Sequence, residues 1–159
     1  MPFSVRHVAV AAALALAGAG HLAAAAQPDA ALLAAARTAQ PAVVQSLKEM
    51  VSIESGSANA QGLAQMASYT EKRLQALGAR VERVPVAKGP GTMVKGTFIG
   101  NGKRRIMLIA HMDTVYPENT LATQPIREEG NRLYGPGIAD DKGGIAVILH
   151  SLEILKNKG

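Results

Sequence analysis

The chain has 159 residues, a formal charge of +5 and no cysteine. That length allows one domain, and the missing thiols exclude a disulfide framework or a thiolate metal site, so any metal centre must be built from His, Asp and Glu. With three Tyr, two Phe and no Trp, and with its basic residues scattered, the chain has no basic stripe interleaved with aromatics of the kind that binds nucleic acid.

Residues 1–26 read as a secretory signal: Arg6 and His7 open it, Val8 to Leu22 is an apolar Ala/Leu stretch, and Ala24-Ala25-Ala26 offers a small-residue cleavage site. Gly18, Gly20 and His21 interrupt the run, which is short for a bilayer span, so export to the periplasm or beyond, with no membrane association after cleavage, is expected. Asp29 to Arg37 predicts an alanine-rich helix, and Pro41 a fresh start at a first-turn position. Val43, Val44, Leu47, Met50 and Val51 recur at helical spacing. Ser52 to Asn59 reads as a loop of small polar residues. A helix follows from about Ala60 to Leu77, with Leu63, Met66, Thr70, Leu74 and Leu77 on one side and Gly78 ending it. Met50 and Met66 read as core packing.

The pattern then changes to strands: Arg80 to Val86, a turn at Lys88-Gly89-Pro90-Gly91, Met93 to Ile99, and a tight turn at Gly100-Asn101-Gly102. Lys103, Arg104 and Arg105 form the densest basic cluster and are expected on a hairpin turn. Ile106 to Ala110 reads as a strand buried on both faces, as in the middle of an α/β sheet. His111 and Asp113 lie just past its C-terminal end, where such sheets place ligands. Being two apart, they point the same way in extended backbone. One can bind a metal while the other fixes the imidazole tautomer. Thr120 to Glu129 is polar, and Gly130-Asn131 predicts a small hairpin leading to Tyr134-Gly-Pro-Gly-Ile-Ala-Asp-Asp-Lys-Gly-Gly144. Asp140, Asp141 and Lys142 there open a final helix, whose apolar face is Ile145, Ile148, Leu149, Leu152 and Leu155. Gly143 and Gly144 allow backbone to approach the acidic loop, and Lys142 is expected to pair with the acids. Tyr116 and Tyr134 flank the site as packed aromatics, and His150, mid-helix, reads as structural. Each of the two polar segments alone is an ordinary turn. Together they bring an imidazole and carboxylates, ligands that suit zinc, to two sheet-edge turns.

HMDTVYP (His111 to Pro117) and GPGIADDKGG (Gly135 to Gly144) resemble the paired N-terminal signatures of the zinc-dependent metallopeptidase family that includes glutamate carboxypeptidase (carboxypeptidase G), aminoacylase and succinyl-diaminopimelate desuccinylase. The likeness to the bacterial glutamate carboxypeptidases extends to QPAVVQSLKEMVSIESG (Gln40 to Gly56) and covers almost the whole chain after the leader. The resemblance implies that His111 binds one zinc ion, that Asp113 acts in catalysis by holding and tuning that histidine, and that Asp140 is a metal ligand bridging two zinc ions. Asp141 occupies a variable position and is not assigned. The peptide between Asp140 and Asp141 is expected to be cis.

The fold implied is α/β: residues 27–159 as the N-terminal portion of a three-layer α/β/α catalytic domain with a mixed sheet. The activity implied is metal-dependent hydrolysis of peptides or N-acyl amino acids, with glutamate first among the amino acids released, by an enzyme expected to be a homodimer. Family members are longer. Their glutamate pair, one a general base and one a ligand, and a late histidine fall after the last helix present here. Little or no hydrolysis is therefore expected from the 159-residue chain alone. Two alternatives stand beside this: a non-catalytic secreted binding module, and an aminoacylase- or desuccinylase-type amidohydrolase.

Overall fold

The structure, a computed structural model, describes residues 27–158. The expected signal at 1–26 lies outside the described residues. The chain divides after Ala30, and the described elements belong to the part that follows, with the first helix beginning at that boundary.

Helix α1 spans Ala30–Val51 and runs through Pro41. The predicted restart is thus corrected to one continuous helix. Pro41 removes one backbone donor, but Arg37 and Pro41 are both exposed, so the carbonyl left without its N–H is not desolvated. The last turns carry the buried face: Ser46, Met50 and Val51. Helix α2, Ala60–Ala76, starts at Asn59, whose side chain accepts from Gly62 N, a standard N-cap bond. It stops before Gly78, which takes φ +91°. Leu63, Met66, Thr70 and Leu74 are buried along one side, as the spacing predicts.

Strands β1 (Arg80–Pro85) and β2 (Thr92–Thr97) pair as an antiparallel hairpin with Arg80 opposite Thr97. A short helix α3, Thr120–Thr123, precedes a second hairpin of β3 (Arg127–Glu129) and β4 (Arg132–Tyr134), turning at Gly130-Asn131 as expected. Ile138–Lys142 form a wide helical turn interrupted by non-helical Asp140 and Asp141, joined by a cis peptide bond. Helix α4, Gly143–Lys156, follows directly. Helices and small antiparallel sheets thus share the chain, compatible with an α/β assignment.

The core gathers Met50 from α1, Met66 and Leu74 from α2, and Ile145, Ala146 and Leu149 from α4. Met50 and Met66 are fully buried. A polar chain ties the same three helices together. Arg73 Nη1 donates to Ser46 Oγ (2.8 Å), Ser46 Oγ lies 2.9 Å from His150 Nε2, and His150 Nδ1 lies 3.1 Å from Glu153 Oε2. With the guanidinium donating to Ser46, the Ser46 hydroxyl proton points to Nε2 and the Nδ1 proton to Glu153. Every member is satisfied, as buried polar groups require. His150 is structural, as its position predicts.

The strand expected at Ile106–Ala110 does not form. Among the described residues no strand runs beside it: β1 and β2 pair only with each other. An extended segment becomes a strand only through ladder bonds to a neighbour. Ile106, Met107 and Ile109 are accordingly exposed rather than buried. The segment enters the fold at its C-terminal end, where Ala110 and Met112 pack against the core.

Candidate metal centre

Beyond Met112 the backbone docks onto the loop that follows α1. Thr114 N donates to Ser55 O (2.8 Å) and Ser57 N donates to Thr114 O (3.0 Å), making a parallel bridge at Gly56 and Thr114. Ser55 Oγ adds a bond to Met112 O at 2.8 Å. A Cβ at Gly56 would stand 2.4 Å from Tyr116 O, so only glycine permits this approach. The chain is thereby held rigidly on either side of Asp113.

Three predicted site residues meet there. His111 Nδ1 lies 3.2 Å from Asp113 Oδ1 and 3.1 Å from the Asp113 carbonyl, while His111 Nε2 lies 2.8 Å from Asp140 Oδ1. His111 and Asp140, 29 residues apart, thus converge, and Asp113 stands behind the imidazole on its far side. Partial burial opposes charging the His111 ring, but hydrogen bonds to Asp140 and to the Asp113 backbone, with the charges of both acids, outweigh it and raise its pKa. Both ring nitrogens face acceptors, which favours the doubly protonated ring. The Asp113 pKa is lowered, chiefly by the hydrogen bond that Ser57 Oγ donates to it.

Asp141 is not drawn into this cluster. Its carboxylate lies over the start of α4, where a Cβ at Gly144 would meet Asp141 Oδ1 at 2.2 Å. Lys142 also departs from expectation. Instead of pairing with the acids, its Nζ donates to Ile53 O at 2.6 Å, and the residue is 1% exposed. The reason is direction: Asp140 and Asp141 leave helical geometry, and the side chain of Lys142 turns inward to the end of α1. Burial lowers its pKa to about 8, opposed by the charge of Glu54. Glu54 in turn accepts from Asn119 N and Leu121 N, both 2.8 Å, and these bonds lower its pKa. Tyr134 stacks under Arg127, 4.3 Å from ring centroid to guanidinium carbon, a packed role as expected.

The stretch Glu54-Ser55-Gly56-Ser57, read from sequence as a plain polar loop, is therefore part of the site. Its signal was a glycine between two serines just ahead of an Asn cap. Only an approach through space gives that pattern meaning.

The donor set fits a transition-metal cation as far as it goes. His111 Nε2 and Asp140 Oδ1 face each other across the place a cation would take, and imidazole and carboxylate both suit zinc. Among the described residues no group of three or more His, Cys, Asp or Glu is placed to hold a metal ion, since Asp113 lies behind the imidazole, so this pair supplies two ligands and no third.

The model of peptidase family M20/M25/M40 matches residues 107–159. Carboxypeptidase G2 of Pseudomonas sp. (strain RS-16) is 43% identical over 160 residues, covering 98% of this chain and 38% of that protein. The acetylornithine deacetylases of Edwardsiella ictaluri (strain 93-146) and Pectobacterium carotovorum subsp. carotovorum (strain PC1) are 41% and 42% identical over 50% and 48% of this chain, and 21% of each enzyme. The chain thus spans about two fifths of the length of Carboxypeptidase G2. Both motifs lie within the matched region, and the likeness read from them is to the metallopeptidases of family M20/M25/M40.

Proposed function

We propose that this chain carries the first two metal ligands of a zinc-dependent hydrolase of the carboxypeptidase type. His111 would bind one zinc ion through Nε2, and Asp140 would offer a carboxylate shared by two ions. Asp113, acting from behind, holds a proton on Nδ1 and so keeps Nε2 free to coordinate. The observation that supports this best is the 2.8 Å approach of His111 Nε2 to Asp140 Oδ1 with Asp113 on the opposite ring nitrogen. Bound zinc supplies Lewis-acid polarisation of a scissile carbonyl and activation of a water. The substrate class is a peptide or N-acyl amino acid with a free carboxylate, glutamate foremost. The wider reading is a three-layer α/β/α domain with a mixed sheet, an exported location after cleavage near Ala26, and a homodimeric complete enzyme. A catalytic zinc takes three protein ligands, so the 159-residue chain alone is expected to be inactive.

Zinc titration of the chelator-treated chain, with His111→Ala beside it, tests the reading. Binding in the parent and its loss in the variant is the expected result. Equal binding by both would refute the assignment. Chelator-sensitive release of a C-terminal glutamate by the purified chain would refute the expected inactivity. The similarity to acetylornithine deacetylases favours a second reading, deacylation of N-acyl amino acids. Parallel assays of the complete enzyme on a glutamyl dipeptide and on an N-acetyl amino acid separate the two.

A further inference from the structure

The structure assigns Ser57 as the positioning residue for Asp113, and through it for the ring of His111. The inference rests on the metal-site reading above. Ser57 Oγ donates to Asp113 Oδ2 at 2.6 Å, while Asp113 Oδ1 faces His111 Nδ1 at 3.2 Å. The terminal torsion of an aspartate is broad and two-fold. Pinning one oxygen therefore decides where the other points. The bond is short and charge-assisted, stronger than a neutral one. The same hydroxyl lies 3.2 Å from Thr114 O, a longer contact to an uncharged acceptor.

Ser57 can hold a carboxylate firmly because its own backbone has little freedom. Its N–H donates to Thr114 O, the residue after Asp113, and Thr114 N–H returns a bond to Ser55 O. Gly56 presses against Tyr116 O. Asn59 N donates to Gly56 O and its side chain caps α2. The hydroxyl is thus fixed between a parallel bridge and a helix start, at a constant offset from Asp113. Ser57 hydrogen-bonds to Asp113 and Thr114 and to neither His111 nor Asp140, so its effect on metal binding is indirect.

Ser57→Thr and Ser57→Val add side chains of the same shape, but only the threonine variant keeps the donor. Zinc affinity is expected to stay within about twofold of the parent in the threonine variant and to fall about tenfold in the valine variant, in line with losses seen when outer partners of ligands are removed. The second readout uses the zinc-free protein: the Nδ1 proton of His111 is expected to exchange faster in Ser57→Val than in the parent or Ser57→Thr, because the Asp113 carbonyl at 3.1 Å is then the acceptor still held in place. Equal zinc affinity and equal Nδ1 protection in the two variants would overturn the assignment. Loss of Nδ1 protection in a chain whose parent binds no zinc would sustain the positioning role while refuting the metal reading. His111-dependent zinc binding that is indifferent to Ser57→Val would do the reverse.

Discussion

Gly56→Ala probes the contact that docks the segment carrying His111 and Asp113 to the loop after α1. The added Cβ would lie 2.4 Å from Tyr116 O and 3.6 Å from Tyr116 C. Both atoms are backbone, so no side chain can swing aside. Relief requires the loop to retreat by roughly 1 Å to reach an ordinary van der Waals distance. Such a retreat carries Ser57 N–Thr114 O, Thr114 N–Ser55 O and Ser55 Oγ–Met112 O, now 3.0, 2.8 and 2.8 Å, out of hydrogen-bonding range. At about 1 kcal/mol for each bond, the loss is roughly 3 kcal/mol. Alanine also restricts the unfolded chain, which offsets about 0.4–1 kcal/mol. A net destabilisation of about 2 kcal/mol is expected in urea unfolding followed by far-UV circular dichroism. Gly100→Ala is the matched control, since a Cβ there meets nothing within 4 Å, and it should stay within about 0.5 kcal/mol of the parent. Equal midpoints for the two variants would refute the docking described for residues 55–57.

Met66, fully buried at the meeting of α1, α2 and α4, should cost about 2–5 kcal/mol when cut to alanine, read by the same unfolding assay. Ser46→Ala removes the hydroxyl between Arg73 and His150 and should destabilise by about 1–3 kcal/mol through the buried groups left unpaired; a change under 0.5 kcal/mol would refute the network. Lys142 has a folded pKa of about 8 against an ordinary 10.5. Between those values the unfolded chain holds a proton that the folded chain has released, so stability should rise with pH across that window. Lys142→Met should flatten the rise, and an unchanged slope would refute the burial of the amine.

The parts of the site that could be read directly from sequence are those marked by local contrast. His111 and Asp113 interrupt an apolar run, and Asp140 precedes a glycine pair that opens a helix. Helix α2 and helix α4 declared themselves by period, with Asn59 and Gly78 acting at the ends of α2. Gly130-Asn131 marked the second hairpin. Features that depend on a neighbour in space were illegible. Ile106–Ala110 has the composition of a central strand, but pairing, not composition, makes a strand. Pro41 signals a break only where its freed carbonyl would be buried. Lys142 turned to Ile53 O rather than to the adjacent acids, because the turn at Asp140 and Asp141 sets its direction. Ser57 is one small polar residue among several until the loop is laid against Asp113.

Ile53 and Glu54 are neighbours in the chain, yet one receives Lys142 and the other receives Asn119 and Leu121. Both halves of the donor pair are therefore moored to one short post at the end of α1. The spacing of His111 and Asp140 is set across this post rather than along the 28 residues between them. Lengthening the exposed tip at Gly130-Asn131 by a few residues should leave the imidazole and the carboxylate facing each other. Loop length and the facing of imidazole and carboxylate are therefore separately adjustable, and variation at this hairpin tip need not disturb the pair.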